Sequence, residues 1–583
     1  MHRHSIDSDA ENRIDALLGR MDLADKVGQC LTLNFVGGVI LPHHLRFIRE
    51  FRCGGLRVTP HITDVNDSFA IRKPAPYLRP GEYAHLLKEL QKIAMERRSG
   101  IPLHLVTDQE GDLSVDFLRG GVSLFPSSMG MTATGDPALV RQAFRVVGKQ
   151  LRAHGINWIH SPELDVNLQP RNPEIGMRAF SDDPGLCARF GLAAMRGLEA
   201  GRVVATAKHF PGRGDSVTDA HNELDIFTFD RKRLDAVELR PYVRLIAAGL
   251  PCIMTAHSAY TALDPDNVPA SASRRIVTGL LREELGFSGV ITTDAIGMTG
   301  QMQYAKTHAN ATVLSIEAGN DLVLIKEDER TTAECFYALL EAVKSGRISE
   351  SRLDESVHRI LRVKARFGIL DNPFPVPEKT EIIVRAKRNG EICREVFRRA
   401  AIVIRDREGL LPLSPARRVL VVEQYIPLYH LKGNDRWYHP GMFGEFMRGY
   451  SPNTIYLETH TPPDENDLQR FHERMALVDT VVFFNTFWRG STSNRPLIRE
   501  AVARGKKVIV ATNDLYDGYF LPTAGTVLCT FGAVPEGTRI AAGIIFGHEK
   551  AGGTWPLRRL KPEDTVSDSE VVDHPTSGHF AKL

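Results

Sequence analysis

Residues 202–215 of the 583-residue chain read RVVATAKHFPGRGD, and DAH follows at positions 219–221. The apolar run that begins at Val203 predicts a short buried strand. The Pro-Gly-Arg-Gly sequence after it prevents a helix from following, because proline lacks an N–H group and glycine has a high conformational entropy. The segment therefore predicts a strand that ends in a sharply turning loop with many ionisable side chains, which is a common setting for catalytic groups.

The composition is that of an ordinary globular protein, with 43% hydrophobic and 25% charged residues. A net charge of +2 gives no basic surface of the kind that binds nucleic acid. The seven cysteines form no Cys-x-x-Cys pair, which argues against a disulfide framework and a zinc site and favours a reducing compartment. The N-terminus lacks the apolar core of a secretory signal, and no apolar run is long enough to cross a membrane. We therefore expect a cytoplasmic protein without nucleic-acid or membrane partners.

Eight short apolar runs alternate with helical stretches in the first 370 residues. The runs are Cys30–Phe35, Leu56–Thr59, Leu103–Asp108, Asn157–Ser161, Val203–Lys208, Cys252–Ala256, Val290–Asp294 and Leu322–Ile325. Eight strands that alternate with helices are typical of a (β/α)8 TIM-like barrel. A doubly wound sheet is the alternative, but no Gly-x-Gly-x-x-Gly turn follows the first strand. We therefore predict an α/β fold with an N-terminal barrel.

Ionisable side chains follow five of the predicted strands, at the end where barrel enzymes place their active sites. They are Asp108 and Glu110, then Glu163 and Asp165, then Lys208 and His209, then His257, and finally Asp294. Helix caps and solvated loops explain one or two of these residues but not the whole set. The sequence therefore predicts an active site at this rim of the barrel.

A second α/β region follows a proline-rich stretch at 371–377. Six more apolar runs alternate with helices between residues 400 and 531, which predicts an α/β sandwich around a mostly parallel sheet. We divide the chain into a catalytic barrel at 1–370, a linker at 371–395, the sandwich domain at 396–560 and a C-terminal tail at 561–583.

The residue types at the rim fit acid–base chemistry on a polyhydroxylated substrate. The sequence lacks the His-Glu-x-x-His spacing of a zinc enzyme, the Gly-x-Ser-x-Gly elbow of a serine hydrolase and the Gly-x-x-x-x-Gly-Lys phosphate loop. We therefore expect a small carbohydrate substrate, no metal and no cofactor. The side chains that could hydrogen-bond vicinal hydroxyl groups are Asp108, Arg178, Lys208 and His209.

The motif KHFPGRG at 208–214, followed by Asp219-x-His221, closely resembles the signature of the β-N-acetylglucosaminidases of glycoside hydrolase family 3. The segment GFSGVITTDAIGM at 286–298 resembles the family's nucleophile segment. Other stretches that resemble the family lie at 108–111, 162–167, 178–184, 254–257, 318–321 and 409–413. The resemblance extends over roughly residues 12–420, and beyond Leu413 it is one of architecture only.

The resemblance implies a two-domain, retaining, exo-acting β-N-acetylglucosaminidase that cleaves terminal N-acetylhexosamine from cell-wall or chitin-derived oligosaccharides, with a role in peptidoglycan recycling. Asp294 would form a covalent glycosyl-enzyme, His221 would be the acid/base, and Asp219 would fix the tautomer of His221. The residues that would hold the sugar are Asp108, Arg178, Lys208 and His209.

Two positions depart from the family pattern. Asp112 stands where the family usually has a second glycine, and Asp116 stands before Phe117, where the family usually has an arginine that contacts the sugar. An anion in place of a cation predicts a change in the substituents that the sugar pocket accepts.

Three other functions are alternatives to this one. A glycoside phosphorylase would use inorganic phosphate to resolve the glycosyl-enzyme, because a neutral imidazole does not repel an anion as a carboxylate does. A β-glucosidase with altered sugar preference would use the same fold. A sugar-binding protein with an inactive site is disfavoured by the intact Asp294, Asp219 and His221.

Overall fold

The structure, a computed structural model, describes residues 8–60, 78–117, 121–218, 223–424, 441–487 and 494–566. Helices surround a barrel in the first part of the chain and flank an open sheet in the second part. This arrangement confirms the predicted α/β fold class.

Eight parallel strands close into a barrel in the order β1-β8-β7-β6-β5-β4-β3-β2. The strands are β1 Leu31–Val36, β2 Gly55–Thr59, β3 His104–Thr107, β4 Trp158–Ile159, β5 Val204–Phe210, β6 Cys252–Thr255, β7 Val290–Ala295 and β8 Leu322–Ile325. The pairing of β1 with β8, with Leu31 opposite Val323, closes the cylinder. All eight predicted strands are confirmed.

The helices up to residue 366 lie around the barrel, except that Ser128–Ala133 packs against Phe531 of the second part of the chain. They are Ser8–Leu18, Leu23–Gln29, Pro42–Arg49, Pro80–Met95, Ser128–Ala133, Pro137–His154, Pro184–Ala200, Arg231–Ala236, Arg240–Ala247, the π-helix Arg275–Glu284, Thr299–Ala305, His308–Ala318, Glu329–Lys344 and Glu350–Arg366, with short 3₁₀ turns at Gly176–Arg178 and Ala270–Ala272. Within the described residues, none of the helices is both long enough and apolar enough to cross a membrane.

Local sequence signals explain where these helices begin and end. The Asp136 side chain accepts a hydrogen bond from the Ala138 amide at 2.9 Å, and Pro137 occupies the first helical position, so the helix Pro137–His154 starts there. Gly155 adopts φ = 104° just after its last residue, a conformation that glycine reaches without strain.

The second sheet has six strands in the order β9-β14-β13-β12-β10-β11. They are β9 Ile402–Asp406, β10 Val419–Gln424, β11 Ile455–Thr459, β12 Thr480–Asn485, β13 Lys507–Thr512 and β14 Thr526–Cys529. Only β9 runs antiparallel to its neighbour, so the mostly parallel sheet is confirmed. The helices of this part are Met442–Tyr450, Glu465–Met475, Arg495–Ala503, Asp517–Phe520 and Pro535–Ile545.

Two helices, Pro377–Val384 and Lys387–Ala400, begin within the region predicted as a linker. Most of the predicted tail at 561–583 lies outside the described residues. The domain boundaries at 370, 395 and 560 therefore stay predictions.

Candidate active site

The loop after β5 is shaped by close backbone contacts. All seven residues of β5 are buried, and Pro211 follows them directly. A Cβ atom at Gly214 would lie 2.0 Å from the carbonyl oxygen of Val166, so only glycine fits there. Gly212 has φ = 133°, which L side chains rarely adopt. These contacts hold the loop against the loop that follows β4.

His209 links that loop to the end of β7. Its Nδ1 lies 2.8 Å from Asp165 Oδ2 and 3.5 Å from Glu163 Oε2, while its Nε2 lies 3.7 Å from Asp294 Oδ2. Burial opposes the charged form, but the Glu163 and Asp165 carboxylates outweigh it and raise the pKa of His209 to about 10. His209 is therefore an imidazolium at neutral pH and faces Asp294 with a positive charge.

Asp294 combines ionisation with access from the cleft. Its side chain is 19% exposed, and its Oδ1 accepts a hydrogen bond from the Ala295 amide at 2.7 Å. Burial opposes ionisation, yet His209, His257 and Lys208 lower the pKa of Asp294 far below the ordinary value. An ionised carboxylate that is reachable from the cleft can act as a nucleophile.

Lys208 and Asp108 form a second charged group across the rim. Lys208 Nζ lies 3.0 Å from Asp108 Oδ1 and 2.5 Å from Glu110 Oε1. Burial opposes both charges, but the two carboxylates raise the pKa of Lys208, and Lys208 and Arg57 lower that of Asp108. Asp108 is 23% exposed and can therefore accept hydrogen bonds from a hydroxyl group in the cleft.

Arg178, the fourth residue predicted to hold sugar, is buried and pairs with protein groups. Its guanidinium donates to Glu110 at 2.8 and 3.0 Å and to the Glu174 carbonyl at 3.1 Å, and it lies 3.2 Å from Glu163. Burial opposes its charge, but these carboxylates raise the pKa of Arg178 well above its usual range. The structure thus places all four predicted sugar-binding residues at one rim, with Arg178 bound mainly to protein groups.

The predicted dyad of Asp219 and His221 lies outside the described residues. The chain just before it is held by Arg213, whose amide donates to Asp165 Oδ1 at 2.6 Å and whose Nη1 lies 3.0 Å from Glu174. The role of the dyad stays a prediction.

Asp116 and Asp112 do not add free anions to the sugar pocket. Arg57, from β2, donates to Asp116 Oδ2 at 2.9 Å and to Asp108 Oδ2 at 2.7 Å. Asp112 instead reaches the second sheet, where its two oxygens accept from Asn513 Nδ2 and the Ala533 amide, each at 2.8 Å. Sequence reasoning missed Arg57, because its strand is not followed by a recognisable motif.

Two clusters of the described residues have side chains close enough to share a metal ion, namely Glu163, Asp165 and His209, and, in the second domain, His460, Asp464 and Asp467. In the first cluster, the lone pair on Nδ1 that a metal would need is taken up by the proton shared with Asp165. This arrangement fits an imidazolium–carboxylate network rather than a metal site.

Residues 60–363, slightly more than half of the chain, match the family described as "Glycosyl hydrolase family 3 N terminal domain". The chain is 34% identical over 363 residues to beta-hexosaminidase A of Pseudoalteromonas piscicida, and the match covers 58% of each protein. It is 27% identical over 494 residues to the beta-N-acetylglucosaminidase/beta-glucosidase of Cellulomonas fimi, covering 79% of the chain and 85% of the relative.

A solved structure resembles the whole described fold. The glycoside hydrolase family 3 beta-N-acetylglucosaminidase from Paenibacillus sp. str. FPU-7 superposes with a TM-score of 0.80 and 30% sequence identity. The match covers 92% of this chain and 99% of that one, so both the barrel and the second sheet are included.

Proposed function

The chain belongs to glycoside hydrolase family 3, and from this premise we propose that it is a retaining, exo-acting β-N-acetylglucosaminidase. It would release terminal N-acetylhexosamine from short cell-wall or chitin-derived oligosaccharides in the cytoplasm, as peptidoglycan recycling requires. The observation that carries this proposal is the ionised, cleft-exposed Asp294 beside the imidazolium of His209, at 3.7 Å. The names of the similar proteins support the choice of sugar.

The reaction has two steps. Asp294 attacks the anomeric carbon while the bond to the leaving oxygen breaks, and His221 donates its proton to that oxygen. Water then attacks the glycosyl-enzyme, gives its proton to His221, and Asp294 leaves. Asp219 would hold the His221 ring, while Asp108 and Lys208 would fix the sugar hydroxyl groups. His209 would keep Asp294 ionised between turnovers.

The first test measures turnover of an aryl N-acetyl-β-glucosaminide. Asp294→Asn should abolish it, because the amide cannot form the ester. His221→Ala should lower it about 10²- to 10⁴-fold on a poor leaving group and far less on dinitrophenolate, which needs no protonation. Lys344→Met, on an exposed part of the barrel surface, is the control. Full activity of Asp294→Asn would overturn the proposal.

Phosphorolysis is the second candidate, because the predicted acid/base is an imidazole and leaves phosphate free to approach the glycosyl-enzyme. A β-glucosidase activity is the third, since the Cellulomonas fimi relative carries both names. Assays with and without the N-acetyl group, in phosphate and in a non-phosphate buffer, separate the three. Release of sugar 1-phosphate identifies a phosphorylase, and free sugar in both buffers identifies a hydrolase.

A further inference from the structure

Lys326 follows β8 directly, on a side of the barrel rim that the proposed sugar-binding residues leave open. β8 lies between β1 and β7, the strand that carries Asp294. The carbonyl oxygen of Lys326 accepts a hydrogen bond at 3.2 Å from Asn34 Nδ2 on β1, which fixes its backbone. Asp108 follows β3, whereas Lys208 and His209 lie in β5. Lys326 therefore follows a different strand of the barrel from these three residues.

Several charges act on the Lys326 ammonium. Burial and Arg57 lower the pKa of Lys326 to about 8, whereas Asp294, Asp108 and Asp116 act in the opposite direction. Lys326 is nevertheless partly exposed, as Asp294 and Asp108 are. Leu324, two residues before Lys326, pairs with Ala295 on β7, so Lys326 follows on the strand next to Asp294. Lys326 is therefore available to a bound sugar.

Lys326 differs from the neighbouring cation in its partners. Arg57 is neutralised by two carboxylates at 2.7 and 2.9 Å. Within the described part of the chain, by contrast, no side chain forms a hydrogen bond or an ion pair with Lys326 Nζ. The adjacent Glu327 accepts instead from the Lys326 amide at 2.7 Å. Asp294, Asp108 and Asp116 favour the charged ammonium without a direct contact, and an anion on a ligand would supply the direct pair.

We propose that Lys326 selects a glycoside whose sugar carries a carboxylate, and that the β8 side of the pocket binds this carboxylate. A carboxylate and an ammonium form charge-assisted hydrogen bonds, which a neutral hydroxyl group replaces only weakly. The carboxylate can belong to the ring, as in a uronic acid, or to an acidic ether substituent of a hexosamine. The inference rests on the proposed function, because it places the anomeric carbon beside Asp294.

Matched substrates test this inference in the wild-type enzyme. An aryl β-glucuronide and an aryl β-glucoside differ only at C6, and an aryl N-acetyl-β-muramide and an aryl N-acetyl-β-glucosaminide differ only by the acidic ether. The enzyme should show a kcat/KM on the order of tenfold higher for the acidic member of at least one pair. The pair that shows the preference identifies where the carboxylate lies. Equal or lower values for both acidic substrates would overturn the inference.

Variants at Lys326 test whether its charge causes the preference for acidic substrates. Lys326→Met should remove the ratio between the acidic and neutral substrates, and Lys326→Arg should keep most of it. Lys344→Met, which removes an exposed lysine from the helix Glu329–Lys344, should leave the ratio unchanged. A ratio that survives in Lys326→Met would contradict the proposal. If that variant does not fold, the inhibition constants of glucuronate and of glucose are compared as competitive inhibitors of the wild-type enzyme. Glucuronate should bind more tightly than glucose.

The two proposals fail in different ways. If no aryl glycoside is turned over, or if Asp294→Asn turns them over as the wild type does, the proposed function is wrong and this inference falls with it. If neutral substrates are cleaved in an Asp294-dependent manner without a preference for a carboxylate, only the role of Lys326 is wrong.

Discussion

The pair formed by Arg57 on β2 and Asp116 in the segment after β3 shows how two residues distant in sequence can share one role. Asp116 Oδ2 accepts from Arg57 Nη2 at 2.9 Å and from the Asp108 amide at 3.1 Å. Arg57 also donates to Asp108 Oδ2, so that Asp108 Oδ1 remains beside Lys208. A positive charge therefore lies beside Asp116, and it comes from β2. Arg57 is a positioning residue for Asp108.

We expect Arg57→Met to lower the free energy of unfolding by about 3 kcal/mol, because it leaves two buried carboxylates without their shared cation. The activity on an aryl N-acetyl-β-glucosaminide should fall as well, since Asp108 is no longer oriented. The double variant with Asp116→Asn should lose less than the sum of the two single losses, and urea unfolding of all three measures the coupling.

An exposed ion pair gives the matched control for this cycle. Arg330 lies 3.2 Å from Glu334, and their side chains are 88% and 55% exposed. Arg330→Met should change the free energy of unfolding by less than about 1 kcal/mol. Strictly additive losses in the Arg57 and Asp116 variants would show that the two residues do not act as a pair.

The stretch at 318–321 supports the site without touching it. Asp321 accepts from the Ile291 amide at 2.9 Å, from Ser356 Oγ at 2.8 Å and from Arg359 at 3.1 Å, and it also pairs with Arg282. It thereby joins β7, β8 and the helix Glu350–Arg366. The hydrogen bond from the Ile291 amide to Asp321 holds β7 in place and therefore positions Asp294, three residues later on the same strand.

Asp321→Asn should therefore destabilise the barrel by about 3 kcal/mol, because three partly buried arginines lose the charge of the buried Asp321. Burial opposes ionisation, but Arg282, Arg359 and Arg352 lower the pKa of Asp321. A lowered folded pKa stabilises above the unfolded pKa, so the difference from the wild type should shrink as the pH falls through the folded value. Urea unfolding between neutral and acidic pH measures it.

Glu355→Gln is the control, because Glu355 contacts the same Arg359 at 3.2 Å from an exposed position. It should change the free energy of unfolding by less than about 1 kcal/mol. If Asp321→Asn lowers the free energy of unfolding by as little as Glu355→Gln does, the buried network does not hold β7 in place.

The strands could be predicted from the sequence because each is an apolar run bounded by residues that break regular structure. The helical stretch between β5 and β6 is divided into two helices, Arg231–Ala236 and Arg240–Ala247, since Val237 leaves the helical conformation. Charged groups at the strand ends predicted the rim and made Asp294 a candidate, which stays a prediction. Arg57 and Lys326 could not be found in this way, because only closure of the barrel brings β2 and β8 to the same pocket.

The second part of the chain covers part of the barrel rim. Phe487 and Asn513, which follow β12 and β13, line the same cavity as Glu110 and Arg178. Elsewhere, Asn167 Nδ2 donates to Tyr516 Oη at 2.7 Å across the two parts. The second sheet thus forms one wall of the cleft next to the proposed sugar site.

Asp112 also joins the barrel to the second sheet, although its backbone conformation is unfavourable for a residue other than glycine. Its φ of 44° lies in the region that favours glycine. Its carboxylate nevertheless joins the barrel to Asn513 and Ala533 of the second sheet, each at 2.8 Å. Burial raises the pKa of Asp112 to about 7, although both hydrogen bonds act in the opposite direction. The contact between the two parts therefore changes charge near neutral pH.

A folded pKa above the unfolded value means that the native state binds more protons, so stability falls as the pH rises from about 4 to about 7. The contribution of Asp112 is on the order of 4 kcal/mol. Asp112→Asn does not titrate, so its urea midpoint relative to the wild type should rise between pH 5 and pH 8. The exposed Asp479→Asn should follow the wild type. A constant difference between Asp112→Asn and the wild type would show that Asp112 keeps one charge state across this range.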